Sequence, residues 1–176
     1  MATMKNRVLW QEGMFALPQH FQQQQRHNDA MLRERLDALG DFAWGFTELS
    51  LNTELLAQGK VMIDRAVGCL PDGTVFRIPE QDLLPLPYQP RELTTPESHD
   101  IYLALPVATH NISEVQGIRC AGQSSERYSV VRTDVRDVHS NDGDMQSLTL
   151  GQLGPKIVSG AEDLSAMVVL PLCRIR

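Results

Sequence analysis

The clearest structural signal in this chain lies in residues 60–78, which read KVMIDRAVGCLPDGTVFRI. Apolar and polar side chains alternate here, and four apolar ones are predicted to share one face: Val61, Ile63, Val67 and Cys69. Arg65 is the exception on that face. A Pro-Asp-Gly turn follows at residues 71–73, and residues 74–78 return with a second extended pattern. The stretch therefore predicts a β-hairpin.

The chain on the C-terminal side of this hairpin also has an extended character. Residues 79–96 hold five of the ten prolines, which predicts a long surface connection. Further strands are predicted at residues 100–107, 127–138, 147–158 and 165–175, with a polar turn at residues 140–144. Short strands joined by turns predict a mainly β fold, an antiparallel β-sandwich.

On the N-terminal side, one long α-helix is predicted over residues 19–39. Pro18 suits the first helical position, and Gly40 suits the position just past the end. The second half carries apolar residues at helical spacing and is predicted to be buried: Met31, Leu32, Leu36 and Leu39. Residues 7–10 are predicted as a strand, residues 42–51 as extended and residues 53–58 as a short helical turn. We expect one domain over residues 1–176, with the N-terminal strand and helix in 1–40 and the β-sandwich in 41–176.

Charge and composition exclude several classes of partner. Sixteen Lys and Arg oppose 22 Asp and Glu, which gives a net charge of −6. Nucleic acid and anionic membranes require the opposite balance and are therefore not expected as partners. The three cysteines, Cys69, Cys120 and Cys173, are widely spaced and are predicted to be reduced thiols. Neither a secretory leader nor a membrane span is recognisable, so we expect a cytoplasmic protein without membrane insertion.

The sequence does not match the known motifs for catalysis, metal binding or cofactor binding. The chain lacks the sequence motifs of phosphate-binding loops, dinucleotide folds, nucleophile elbows and zinc proteases. A calcium loop beginning at Asp137 would place Asp142 where Gly is required and Leu148 where Glu is required. His20 and His27 share a helical face but lie two turns apart, a spacing unlike that of zinc ligands. We therefore predict no catalytic residues, no metal and no cofactor.

Two interpretations of the N-terminal region stay open at this point. The polar run at residues 22–25 is either a solvated helix face or a surface that hydrogen-bonds to another chain. Trp10 and Phe15, beside that helix, form either a satellite core under the sandwich or an anchor for a partner.

Three segments together resemble a known family. Residues 8–24, VLWQEGMFALPQHFQQQ, resemble the N-terminal signature of TssK, the baseplate component of type VI secretion systems. Agreement continues in the same order through residues 44–60 and through residues 66–79, which include the LPDGT turn. Weaker similarity extends through residues 101–107, 127–138 and 170–175, so that the resemblance covers nearly the whole chain.

The resemblance implies a structural protein rather than an enzyme. TssK-like proteins are homotrimers whose N-terminal shoulder is a β-sandwich similar to that of phage receptor-binding proteins. That shoulder docks on the baseplate wedge of TssF and TssG, on the cytoplasmic side of the inner membrane. A neck and a C-terminal head follow, and the head contacts TssL and TssM. Family members are more than twice this length, so we expect the shoulder alone, without neck and head.

A docking surface with an aromatic anchor and a hydrogen-bonding rim is expected before and at the start of the helix. Its apolar members would form the anchor, its polar members the rim, and its glycine would allow a turn into the helix. The predicted protein-interaction site comprises Trp10, Glu12, Gly13, Met14, Phe15, Pro18, Gln19, His20, Phe21 and Gln22. A carbohydrate- or other ligand-binding β-sandwich is the alternative from another class, since such folds host many functions.

Overall fold

The computed structural model describes residues 3, 5–90, 99–108, 126–139 and 143–175. The described elements are, in chain order, α1 (Pro18–Asp37), β1 (Gly45–Leu51), α2 (Thr53–Ala57), β2 (Ile63–Cys69), β3 (Val75–Ile78), β4 (His99–Pro106), β5 (Tyr128–Arg136), β6 (Met145–Leu153), β7 (Lys156–Ser159) and β8 (Met167–Ile175). The chain divides into two compact units, Met1–Ala43 and Trp44–Arg176. The first unit contains α1, and the second unit contains the strands.

The organisation of residues 1–176 as one shoulder domain stays a prediction.

The predicted hairpin at residues 60–78 is confirmed by the antiparallel pairing of β2 with β3. The Leu70 N–H donates to the Thr74 carbonyl at 2.8 Å, and the Gly73 N–H donates to the Leu70 carbonyl at 2.9 Å. Gly73 has φ +84°, a conformation that glycine adopts without steric cost. β1 pairs with the other edge of β2, so the first sheet has the order β1-β2-β3.

In β2 the buried side chains are not all the ones that the alternating sequence pattern predicted. Ser50 pairs with Arg65 and Leu51 with Ile63, so Asp64 is an extra residue in β2. Such a bulge reverses the alternation of side chains that follow it. The prediction of one continuous apolar face is therefore wrong after Ile63, because Ala66 and Gly68 point inward while Val67 and Cys69 are only half-buried.

The same bulge explains why an arginine occurs within the apolar pattern. It leaves Arg65 about half exposed, with Nε 2.9 Å from Glu48 Oε1 and Nη2 3.1 Å from Glu80 Oε1. Gly68 is constrained in turn, because a Cβ there would meet the Gly45 carbonyl oxygen and approach Phe76 Cζ to 2.8 Å.

Two antiparallel three-stranded sheets, β1-β2-β3 and β7-β4-β8, build the core together. The shared cluster of buried apolar residues comprises Val61, Ile63, Ala66, Leu70, Phe76, Ile78, Ile101, Leu103, Leu105, Leu153, Ile157 and Leu170. Burial of one large apolar side chain contributes about 1.5–3 kcal/mol, so this cluster is the main source of stability. The predicted fold class is confirmed: the chain is mainly β, with antiparallel sheets and one long N-terminal helix.

The third sheet is a two-stranded ribbon formed by β5 and β6. It pairs continuously from Tyr128 opposite Leu153 to Arg136 opposite Met145, and its Leu153 end belongs to the core. The prediction of one strand over residues 147–158 is wrong. β6 ends before Gly154, and β7 begins after Pro155 in a different sheet, because proline lacks the N–H that would continue the ladder.

A buried arginine joins the base of the ribbon to the hairpin turn. Arg127 is 4% exposed, and its Nη1 donates to the Pro106 carbonyl at 2.6 Å. Its Nη2 lies 2.6 Å from Asp72 Oδ2 and also contacts Thr74 Oγ1. Burial raises the pKa of Asp72, but the charge of Arg127 and the hydrogen bonds from Thr74 and Arg127 outweigh it, so that pKa lies below its ordinary value.

Candidate protein-interaction site

The described residues before α1 form irregular backbone with two turns, the first at Lys5 and the second at Gly13. The prediction of a strand at residues 7–10 is wrong, since these residues have no strand pairing in the structure. The predicted turn is present at Gly13, whose φ is +77°, and the Met14 N–H donates to the Gln11 carbonyl at 3.2 Å. Gly13 therefore supplies a left-handed conformation that other residues rarely adopt.

The helix begins at the predicted proline and is capped by a histidine. Pro18 occupies the first turn, where its missing N–H costs no helical hydrogen bond. The Leu17 N–H donates to Nδ1 of His20 at 3.0 Å, and the His20 N–H donates to the Leu17 carbonyl at 2.9 Å. Leu17 carries no polar side chain that could accept from the first helical N–H groups, and His20 instead accepts from the Leu17 N–H, the role that Glu or Gln has in a capping box.

The polar half of α1 packs against the backbone of the N-terminal segment. Gln23 Nε2 donates to the Asn6 carbonyl at 2.6 Å, and His27 Nδ1 lies 2.8 Å from the Lys5 carbonyl. Lys5 Nζ in turn lies 2.8 Å from Glu34 Oε1, and the hydrogen bond from Lys5 lowers the pKa of Glu34. Gln23 thus fits neither interpretation of the polar run, because it hydrogen-bonds within its own chain, whereas Gln22 and Gln25 are exposed to solvent.

The apolar half of α1 is exposed, so the prediction that it is buried is wrong. Leu32 is 60% exposed, and Leu39, two residues past the end of α1, is 85% exposed. Successive helical residues are separated by about 100°, which places Leu32 on the side opposite Gln23 and His27. The N-terminal segment therefore covers the polar face of the helix, and the apolar face is presented to solvent.

Three rings of the predicted site come together. The Trp10 ring lies 5.9 Å from the His20 ring and 5.9 Å from the Phe21 ring, at tilted angles of 48° and 53°. Tilted pairs at such distances are favourable aromatic contacts. Trp10 is nevertheless 51% exposed and Phe21 61% exposed. These exposures are those of a surface cluster, which argues against the satellite core.

The other residues of the predicted site surround this aromatic cluster in the sequence but differ in burial. Phe15 is 80% exposed, and Met14 is half-buried. Glu12, Gln19 and Gln22 are exposed, as a hydrogen-bonding rim requires. The structure thus presents both apolar and polar members of the site at the surface of the first unit.

A second exposed apolar surface lies on the ribbon, and the sequence prediction missed it. Residues directly opposite each other in an antiparallel pair point to the same side, and Val131 pairs with Leu150 while Thr133 pairs with Leu148. Leu148 is 45% exposed and Leu150 is 44% exposed. The sequence signal for this face is the alternation of side chains along the two strands. It places residues 131, 133 and 135 of β5 and residues 146, 148 and 150 of β6 on one side of the ribbon.

The residues considered for metal binding have other partners or fall outside the described residues. Asp137 Oδ1 accepts from the His139 N–H at 2.8 Å. In the described ranges no group of three His, Cys, Asp or Glu side chains could hold a metal ion. Residues 140–142 of the rejected calcium loop lie outside those ranges.

The structure describes two of the three cysteines. Cys69 and Cys173 are both partly buried, and burial raises the pKa of the Cys173 thiol. Cys120 lies outside the described residues. Among the helices that are described, none is long and apolar enough to cross a membrane.

Comparisons with known proteins give the family. Residues 20–176 match the family model T6SS_VasE, described as bacterial type VI secretion, EvfL, ImpJ, VasE. The chain is 36% identical over 174 residues to the type VI secretion system baseplate component TssK1 of Pseudomonas aeruginosa, an alignment that covers 97% of this chain and 38% of the relative.

Solved structures agree with the family assignment. A crystal structure of TssK superposes with a TM-score of 0.84 at 29% identity, over 97% of this chain and 38% of that chain. One chain of a TssK-TssF-TssG baseplate subcomplex, solved by cryo-electron microscopy, matches with a TM-score of 0.82 over 96% of this chain and 55% of that chain. At 21% identity this second likeness shows the fold alone. The chain therefore spans 38% of the length of TssK1 and belongs to the TssK family of bacterial type VI secretion proteins.

Proposed function

We propose that this chain is a structural, non-enzymatic part of a type VI secretion baseplate, and that it docks a trimeric TssK-like connector onto a TssF and TssG wedge in the cytoplasm. The observation that carries the proposal is the 36% identity to TssK1 across 97% of the chain. A protein of the same fold is assembled with TssF and TssG in a solved subcomplex, which supports the choice of partners.

The exposed aromatic cluster supports a docking role for the first unit. Interface energy concentrates in a few aromatic side chains surrounded by polar contacts that exclude water. Trp10 and Phe21 offer a partner a large apolar area, and their mutual contact holds them in a defined geometry. Phe15, at 80% exposed, adds a second anchor. We therefore assign wedge docking to the predicted site from Trp10 to Gln22.

Ligand binding by the sandwich is the weaker alternative. An open groove of about 460 Å³ lies beside β4 and β8, and Asp100, Tyr102 and Arg174 are among its lining residues. Asp100 and Arg174 bind each other in this groove, which leaves fewer polar groups for a sugar. Tyr102 is the one aromatic side chain in the lining, whereas ligand pockets are lined mainly by apolar and aromatic groups.

Co-expression of this chain with TssF and TssG from the same genome tests the proposal. A complex that survives purification, with its mass measured by light scattering, would support the wedge role and give the stoichiometry. A folded chain that elutes alone, with or without a glycan-induced rise in melting temperature, would contradict it.

The double variant Trp10→Ala/Phe15→Ala assigns the docking surface. We expect wedge affinity to fall by at least about thirtyfold, because the loss of even one hot-spot aromatic costs about 2 kcal/mol or more. The far-ultraviolet circular dichroism spectrum should be unchanged, since both side chains are exposed. The matched control is Leu86→Ala/Val138→Ala, which removes side chains that are 85% and 80% exposed in the second unit. Equal losses in both variants, or unfolding of the first, would refute the assignment.

A further inference from the structure

Two histidines on one face of α1 make hydrogen bonds with opposite requirements. The Leu17 N–H donates to Nδ1 of His20 at 3.0 Å, so this nitrogen must carry a lone pair. Nδ1 of His27 lies 2.8 Å from the Lys5 carbonyl, which can only accept, so this nitrogen must carry a proton. The bond of His20 therefore exists only in the neutral imidazole, whereas the bond of His27 exists in both protonation states.

The neutral form of His20 holds two features of the first unit in place. Its Nδ1 satisfies the backbone N–H at the helix start, and its ring contacts the Trp10 ring at 5.9 Å. Trp10 also contacts Phe21 at 5.9 Å. If Nδ1 carried a proton, two N–H donors would face each other and the hydrogen bond from Leu17 would be lost. The imidazole ring would then turn away from the helix start.

The charged groups around His20 are few. The segment before the helix carries Lys5, Arg7 and Glu12, and Lys5 is bound to Glu34. Within two turns along α1 the titratable groups are Arg26 and His27, and His27 is held at the Lys5 carbonyl. None of the ion pairs in the described part of the chain involves His20. Protonation of His20 therefore acts first through its hydrogen bond to Leu17.

We propose that the start of α1 is a pH-sensitive cap, in which protonation of His20 releases the Leu17 N–H and rearranges the Trp10 ring while the contact of His27 persists. Histidine is the side chain that ordinarily changes charge between about pH 5 and pH 8. The cap is therefore closed while His20 is neutral and opens when Nδ1 takes up a proton. This inference concerns the chain alone and stands whether or not the chain docks on a wedge.

Nuclear magnetic resonance of the full chain tests the cap directly. The chain contains two tryptophans, so the indole N–H signal of Trp10 can be assigned with a Trp44→Phe variant. Between about pH 7.5 and about pH 5.5, the Leu17 amide and Trp10 indole signals should shift together. The protection of the Leu17 amide against hydrogen exchange, corrected for intrinsic rates, should fall about fivefold, as expected for one lost capping bond.

Two matched variants separate the histidines. In His20→Asn the Oδ1 atom replaces Nδ1 as an acceptor that does not titrate, so both signals should become insensitive to pH. In His27→Asn the titration should remain as in the wild type. Shifts that persist in His20→Asn, shifts that vanish only in His27→Asn, or a flat wild-type titration would each overturn the proposal.

Discussion

The two compact units of this chain use apolar side chains in opposite ways. In the second unit Ile63, Phe76 and Leu103 are at most 2% exposed and belong to one core. In the first unit Phe15 and Leu39 are at least 80% exposed. The second unit therefore gains its stability from burial, whereas the first keeps apolar area available at its surface.

Polar interactions show the same contrast. In the second unit Arg127 is buried and bridges Asp72 and the Pro106 carbonyl. In the first unit the side chains of Lys5 and Glu34 remain 68% and 62% exposed in their ion pair. Water screens exposed pairs, so this ion pair contributes little to the stability of the first unit. The contrast is therefore between a second unit held by buried contacts and a first unit held by exposed ones.

The largest expected loss of stability comes from replacing a buried phenylalanine of the second unit, and an exposed phenylalanine of the first unit is the control. Phe76→Ala should reduce the free energy of unfolding by about 3–5 kcal/mol, because the ring is 2% exposed and packs edge-on against Phe46. Phe15→Ala, the matched exchange at an exposed site, should change it by less than about 0.5 kcal/mol. Urea denaturation followed by circular dichroism measures both. Similar losses in the two variants would remove the distinction between the units.

A somewhat smaller effect is expected from the buried ion pair. Arg127→Met should cost about 3 kcal/mol, because it leaves the Asp72 carboxylate partly buried without its cation. The pKa of Asp72 is lowered in the folded state, so this contribution is present above the unfolded pKa of about 3.9 and is lost as pH falls through the folded value. Chemical denaturation at several pH values should show wild type and variant converging below about pH 4. A gap that widens in acid would contradict this assignment.

The smallest effect is expected from the exposed stripe of α1. Leu32→Gln/Leu36→Gln should change the free energy of unfolding by less than about 1 kcal/mol, because these side chains are 60% and 44% exposed and Gln is a good helix former. Leu103→Gln, at a buried strand position, is the matched control and should unfold the sandwich. Thermal melts followed at 222 nm compare the variants. A large loss in the helix variant would mean that the stripe is covered in solution.

The start of the helix and the hairpin were predictable because their signals are local. Pro18 restricts its own backbone to helical values, and Gly73 with Asp72 favours the turn that joins β2 to β3. Trp10, His20 and Phe21 lie within twelve residues of one another, and the sequence analysis named all three in the predicted site. The contact of Trp10 with His20 was not predicted, because it depends on the turn at Gly13.

The errors share a cause, which is that each depended on contacts between distant residues. Residues 31–39 have the spacing of a buried helix face, yet the N-terminal segment binds the opposite side through Lys5 and Glu34, 29 positions apart. The extended pattern of residues 147–158 does not reveal that β6 pairs with β5 while β7 pairs with β4.

Local sequence thus accounts for the mainly β class, the helix and its proline start, the hairpin turn and the family signature. Backbone preferences and turn chemistry act over a few residues, so they can be recognised in the order of the amino acids. The tertiary structure alone establishes the bulge at Asp64, the exposed face of α1 and the Arg127 to Asp72 bridge. These features arise because packing matches whole surfaces, and in the bridge it joins residues 55 positions apart.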